Sequence, residues 1–304
     1  MRISKFFAAT TAAIVLNLAG AALPMTATYA APVTAAVAVA PQYDTTHVYV
    51  DSSDVDRFAT SFLATFGGQS TKQVVATVTP TASSTTSQLL QTPVGTVSLF
   101  GFKTPIPFPF GTERNGYLIT DMDTAVKAAR ASGADVIVAP FPDPIGRDAI
   151  IQWPGGINMQ IYWHTTPPSY AAFQTVPENR VYVSPDRADA LARSFVAFSH
   201  GKVVSDEPHA SGIEVGRASD TIRRIRIESP FGKMVVLVTD GHLPYPYGRE
   251  TTGYEVAKLG DTLDKAKAAG VSVLVAPYRV DNRDTAIVQF PGGYVAEIHA
   301  PTGK

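Results

Sequence analysis

The chain is 304 residues long, has no cysteine, and carries 25 basic against 26 acidic side chains for a formal net charge of −1. Without cysteine there are no disulfides, no thiol catalysis, no thiolate metal sites and no lipidated cysteine. With charge nearly balanced and no basic run, nothing in the sequence favours nucleic acid as a partner.

In chain order, Arg2 and Lys5 precede a mostly apolar stretch from Phe6 to Leu23, and small residues follow at Ala27, Thr28, Ala30 and Ala31. That is the layout of a secretory signal peptide over residues 1–30, with cleavage expected after Ala30. Thr10, Thr11 and Asn17 interrupt the stretch and Pro24 ends it, so it is a poor permanent anchor. No later segment reaches the roughly 20 apolar residues of a membrane helix. The expectation is export, to a periplasm or the exterior, with no membrane attachment after cleavage. Residues 31–44, rich in Ala, Val and Pro, read as a tether.

His47-Val-Tyr-Val50 opens a strand. Val55, Phe58, Phe62 and Phe66 recur at three- and four-residue spacing, which predicts an amphipathic helix stopping at Gly67-Gly68. The Thr/Ser-rich run from Thr77 to Ser87 suits a loop, an exposed hairpin or disorder. A second helix is expected from near Asp121 to Gly133, then a buried strand at Val136–Ala139. Pro154-Gly155-Gly156 reads as a hairpin turn into a last strand. Thr165 to Glu178, with Pro167-Pro168 and Pro177, reads as a linker.

Beyond the linker the same order returns. Ile106-Pro-Phe-Pro-Phe-Gly111 recurs as Leu243-Pro-Tyr-Pro-Tyr-Gly248. Glu113, Gly116, Tyr117 and Val138-Ala-Pro140 recur at the same offset as Glu250, Gly253, Tyr254 and Val275-Ala-Pro277. Gln152 and its Pro-Gly-Gly turn recur as Gln289 and Pro291-Gly-Gly293. His47-Val-Tyr-Val50 parallels Arg180-Val-Tyr-Val183 at a slightly shorter offset. Ser184 and Pro185 start a helix with Ala188, Leu191, Phe195 and Phe198 on one face. Another helix runs from near Gly260 to Gly270. Shared order over so long a stretch marks a tandem duplication, with domain 1 at residues 45–164, a linker at 165–178 and domain 2 at 179–304.

This pattern resembles the vicinal oxygen chelate superfamily, which includes glyoxalase I, bleomycin-resistance proteins and extradiol dioxygenases. The features that carry it are the His47-Val-Tyr-Val50 strand and its helix, the stretch from Gly116 through Asp121-Met-Asp123 into an Ala-rich helix ending at Gly133, and the Pro-Gly-Gly turns into Met159-Gln-Ile161 and Ala296-Glu-Ile298. The resemblance implies an α+β fold: two tandem domains, each made of paired βαβββ modules whose curved strands enclose a cup, so that a monomer forms an internal pseudo-dimer. It also implies a divalent metal ion held by side chains of the first, fourth, fifth and eighth strands. Carried over, those positions are His47, approximately Ser98, Arg114 and Gln160 in copy one. In copy two they are Arg180, approximately Val235, Thr251 and Glu297.

Neither set is complete, because a divalent ion wants several imidazoles or carboxylates and neither Arg nor Val serves. If each copy closes its own cup, copy one has His47 with the weak donor Gln160, and copy two has Glu297. If the copies exchange halves, one cup gathers His47, Ser98, Thr251 and Glu297. The exchanged cup is the better metal candidate, so His47 and Glu297 are the expected ligands of at most one ion, with water completing its shell. His299, two residues beyond Glu297, shares its strand face and would line the same pocket. Gln160 and Tyr162 take those places in copy one and would hydrogen-bond a ligand. Arg114 and Arg180 would bind an anionic ligand in the second cup. Glu113, Glu250, Tyr117 and Tyr254, present in both copies, read as scaffold.

Three readings follow. The incomplete ligand sets favour an exported small-molecule binder, glyoxalase- or bleomycin-resistance-like, with its metal site degenerate or absent. The alternatives are a metal-dependent lyase or dioxygenase-like enzyme acting on vicinal oxygens, and a structural duplication whose cups are filled by their own side chains.

Overall fold

The computed structural model describes residues 34–166, 168–172 and 175–302. The signal-peptide reading of residues 1–30 and the first residues of the tether lie outside the described residues.

Four βαβββ modules follow one another. The first holds β1 (Thr46–Asp51), α1 (Val55–Phe66), the short β2 (Gln69–Ser70) and β3 (Val74–Ala76), then β4 (Thr85–Thr92) and β5 (Gly95–Phe102). The second holds β6 (Gly116–Leu118), α2 (Met122–Ala131), β7 (Asp135–Pro142), β8 (Gly146–Trp153) and β9 (Ile157–His164). Copy two repeats the plan with β10 (Glu178–Val183), α3 (Pro185–Ser199), β11 (Lys202–Ser211), β12 (Thr221–Ser229) and β13 (Gly232–Val238). The fourth module holds β14 (Thr251–Glu255), α4 (Leu259–Ala268), β15 (Ser272–Val280), β16 (Arg283–Gln289) and β17 (Val295–Pro301).

In every module the first strand lies parallel to the last: β1 to β5, β6 to β9, β10 to β13 and β14 to β17. Within copy two, β10 also pairs antiparallel with β14, matching Arg180 with Thr251, and the two modules merge into one eight-stranded sheet. Copy one keeps the same junction on fewer bonds, with Thr46 bridging Asn115 and the His47 N–H donating to the Arg114 carbonyl at 3.0 Å. Each copy therefore closes its own cup. The exchange of halves is not adopted, and His47 and Glu297 belong to different sheets.

What the copies do share is core. Side chains alternate across a strand, so Val48 and Val50 of β1 face the helices while His47 and Tyr49 face the cup. The buried face of α1 packs across the copies: the Phe62 ring lies 5.6 Å from that of Tyr254 and 5.2 Å from that of Phe290. The other helix layer joins modules two and three, with Trp153 against Phe195 and Tyr117 against Phe231. Asp121 caps α2 by accepting the Thr124 N–H at 2.8 Å. Ser184 precedes α3 as expected but spends its hydroxyl on Asp186 rather than on the helix backbone.

One compositional reading gives way to packing, and another settles on one of its alternatives. The tether's described part is no tether: Val37 is buried in the core, Ala38 bridges Ile119, and the buried Gln42 amide bonds both the N–H and the carbonyl of Leu118. An Ala/Val-rich run without polar periodicity looks flexible until a strand edge offers it backbone partners. The Thr/Ser-rich run is part of a hairpin, with β3 pairing β4 from Val74–Ser87 to Ala76–Thr85.

Candidate functional site

The two cups have opposite fates. In copy one, β1, β3, β4, β5, β8 and β9 surround a cavity of about 280 Å³. Aliphatic groups of β3 and β4 (Val74, Ala76, Leu89) and the rings of Tyr49, Phe100 and Phe110 form much of its wall. His47 and Gln160 both line it, together with Ser98, Tyr162 and His164. His47 is 2% exposed and packs edge-on to Phe100 at 5.5 Å. Its Nδ1 has no hydrogen-bond partner among the described residues, with the buried Glu113 carboxylate 3.8 Å away. A Cβ on residue 116 would collide with this imidazole, which gives the Gly116 of the repeated Gly-Tyr pair its reason. In copy two a Cβ on residue 253 would lie 2.7 Å from a Glu297 oxygen.

The polar groups of this cup are tied into two small networks. Asp44 accepts the hydroxyls of Tyr162 at 2.9 Å, Tyr170 at 2.8 Å and Ser98 at 2.6 Å. Asp148, on β8, accepts the Gln160 amide at 2.9 Å. Burial, then the charges of Asp143, Asp44 and Glu113, holds the Asp148 carboxyl well above the ordinary range. Burial also lowers His164, against the pull of Asp44 and Asp143. Arg114 does not line this cavity. It is half-buried and acts on Glu250, a carboxyl that burial pushes up to about 7 against the lowering by Asn115 and Arg114.

In copy two ion pairs fill the centre of the same space, and a pocket of about 270 Å³ lined by Glu178, Arg226, Arg283 and His299 remains beside them. After β11 a single 3-10 turn, Gly212–Val215, carries Glu214 inward, where Arg180 donates to it at 2.9 Å and Arg224 donates to its other oxygen. Arg180 also pairs with Glu178 at 3.1 Å, and Arg283 reaches Glu178 at 3.0 Å. Val235 and Leu237 pack with Ala210, Val215 and Ile222 over the rest. The anion expected opposite Arg180 is therefore the protein's own, supplied by Glu214 from beyond β11 and by Glu178 two residues away on the same strand.

Glu178, Glu297 and His299 are buried, and their ligand atoms lie within 4.8 Å of one another, so by donor type they could hold a metal ion. Each donor is already engaged. Thr285 donates to Glu297 at 2.7 Å, the His299 Nδ1 meets the other Glu297 oxygen at 2.8 Å, and Glu178 is bound by two guanidiniums. Burial pushes Glu297 up, but Arg180 and then His299 outweigh it and bring the carboxyl to about 2. Two fixed cations beside the triad oppose a third, so the residues fit a divalent ion poorly. In copy one His47 is the sole imidazole at the carried-over positions, Ser98 is spent on Asp44 and Gln160 on Asp148, which fits no better.

Sequence reasoning missed Asp44, Asp148 and Tyr170. Asp44 and Tyr170 fall in stretches read as tether and linker. Asp148 had a signal in the repeat: its counterpart is Thr285, as Gln160's is Glu297, so acceptor and donor trade places between the copies. Tyr117 and Tyr254 are buried in the two shared cores, Glu113 accepts the Tyr49 hydroxyl and Glu250 the Asn115 amide.

No protein-family model matches the sequence, and no curated protein does. Among solved structures, a triple mutant of 4-hydroxymandelate synthase from Streptomyces coelicolor superposes with a TM-score of 0.59 at 14% identity, covering 86% of this chain and 94% of its own. The 2,3-dioxygenase LapB from Pseudomonas sp. KL28 gives 0.53 at 12% identity over 88% and 94% of the two chains. A Mn(II)-bound glyoxalase from Novosphingobium aromaticivorans gives 0.50 at 14% identity over 88% and 84%. All three belong to one superfamily, and at such identities the likeness is one of fold.

Proposed function

Starting from a vicinal oxygen chelate fold, we propose that this chain is an exported small-molecule-binding protein whose working site is the copy-one cup and which holds its ligand without a protein-bound metal ion. One observation carries the reading: the copy-one cup keeps a cavity with apolar walls and a buried imidazole on its lining, whereas the copy-two pocket, of about 270 Å³, is lined by charged groups, Glu178, Arg226 and Arg283 among them, that are already paired. A volume of about 280 Å³ lies at the small end of ligand pockets, which run from roughly 300 to 1,000 Å³. It suits a compact ligand with an apolar body. Export rests on the signal-peptide pattern, and N-terminal sequencing of the mature protein starting at Ala31 would support it.

The enzyme reading has its own observation in the Glu178–Glu297–His299 triad. An ion there would supply Lewis-acid chemistry, but it would have to displace Arg180 and Arg283 from the carboxylates. The test is a fluorescence titration of the purified full chain with N-phenyl-1-naphthylamine, an uncharged apolar probe, with and without EDTA. Saturable binding indifferent to the chelator is expected. Binding that vanishes on chelation and returns with Mn(II) would sink the metal-free reading.

A further inference from the structure

Resting on that reading of the copy-one cup, we infer that its ligand is an organic cation, an amine or ammonium group carried on a small apolar body. The argument is one of charge balance. Asp44, Asp143 and Asp148 line the cavity, and a fourth carboxylate, Glu113, lies buried behind His47. Among the described residues no Lys or Arg side chain lines it. Arg147, next to Asp148 on β8, points to the opposite face and pairs with Asp123 at 3.2 Å. The contrast with copy two is internal to the molecule, since there Arg180, Arg224 and Arg283 pair with the buried carboxylates of Glu178 and Glu214.

Acidic residues alone would not make a site, but here they surround a formed cavity with aromatic walls, and the imidazole of His47, 2% exposed, lies on its lining. The walls suit the same occupant. The faces of Tyr49 and Phe100, stacked at 5.2 Å, and the rings of Phe110, Tyr162 and Tyr170 offer electron-rich surfaces that attract a desolvated cation. Asp148 is held above the ordinary carboxylate range by burial and by its carboxylate neighbours, with no cation to offset them. Burial makes the charged form of this carboxyl costly, and a ligand ammonium group beside it would offset that cost. An anionic ligand would meet the carboxylates of Asp44 and Asp143 with no Lys or Arg on the lining to offset them.

Three near-isosteric competitors test this on the full chain by displacement of N-phenyl-1-naphthylamine: 1-naphthylmethylamine, 1-naphthalenemethanol and 1-naphthoate. The amine should bind at least about ten-fold tighter than the alcohol, the factor that about 1.4 kcal/mol of net charge interaction gives. The naphthoate should not compete. Asp148→Asn should erase most of the amine's advantage and leave the alcohol unchanged. Asp143→Asn, in an exposed loop where Asn still accepts the Ile145 N–H, should reduce it without threatening the fold. Equal affinities of amine and alcohol, or tighter binding of the naphthoate, would overturn the cation proposal while leaving the binding cup intact. If the probe itself fails to bind, the cup reading fails and this inference with it.

Discussion

Replacing Arg180 by Met should cost about 3–5 kcal/mol of stability, the range found when one member of a buried charge group is removed. Its guanidinium is 3% exposed and faces Glu178 and Glu214 directly, with Glu297 close by. Taking it away leaves carboxylates that neither water nor Arg283 alone can satisfy. The pH dependence follows from Glu297, whose folded-state value of about 2 lies below its ordinary 4.5. A carboxyl lowered in this way stabilises the fold above pH 4.5, and that contribution is lost as pH falls toward 2. Arg180 is the largest single cause of the lowering, so the deficit of Arg180→Met should be largest near neutral pH and shrink below about pH 4.5. Urea denaturation of both proteins at several pH values checks it. A deficit that is the same at pH 7 and pH 3 would refute the assignment of Arg180 as the cation of the second cup.

The second large effect concerns the seam between the copies. Phe62 is fully buried among Phe58, Phe66, Tyr254 and Phe290, so half of its ring neighbours come from the other copy. Phe62→Ala should cost about 3–5 kcal/mol, the transfer term plus the cavity left behind. The informative part is where the loss registers. Both tryptophans, Trp153 and Trp163, pack in or against the other core, which joins modules two and three. Because each core draws on both copies, tryptophan fluorescence and far-ultraviolet circular dichroism should shift to the same lower midpoint. A helical signal lost first, with tryptophan fluorescence still native, would show that the copies unfold independently.

These two residues mark the boundary of what was legible in the sequence. Phe62 was readable because helical periodicity and the Gly67-Gly68 stop are local signals, and so were the repeat, the Pro-Gly-Gly turns and the scaffold glutamates and tyrosines. The asymmetry of His47 against Arg180 was readable too, since duplication supplies its own control. The occupancy of each cup was not. It depends on Glu214 arriving from a short turn after β11, on Asp148 facing Gln160 across two strands, and on Asp44 and Tyr170 folding back from stretches that composition describes as connectors. Pairings of that range leave no periodic trace. Positions carried over from a resemblance also failed at Arg114, which contributes its backbone to the junction and its charge to Glu250, while its side chain stays outside the copy-one cavity.

The fold packs the centre of one cup with ion pairs and keeps a cavity with apolar walls in the other, and the proposed function places the binding site in copy one. The most direct test is to repeat the N-phenyl-1-naphthylamine titration on Leu89→Trp, which puts an indole into the copy-one cavity from β4 and leaves copy two untouched. One probe per chain in the unaltered protein, and none in the variant at an unchanged melting temperature, is the predicted result. Two probes per chain, or binding that survives the substitution, would contradict it.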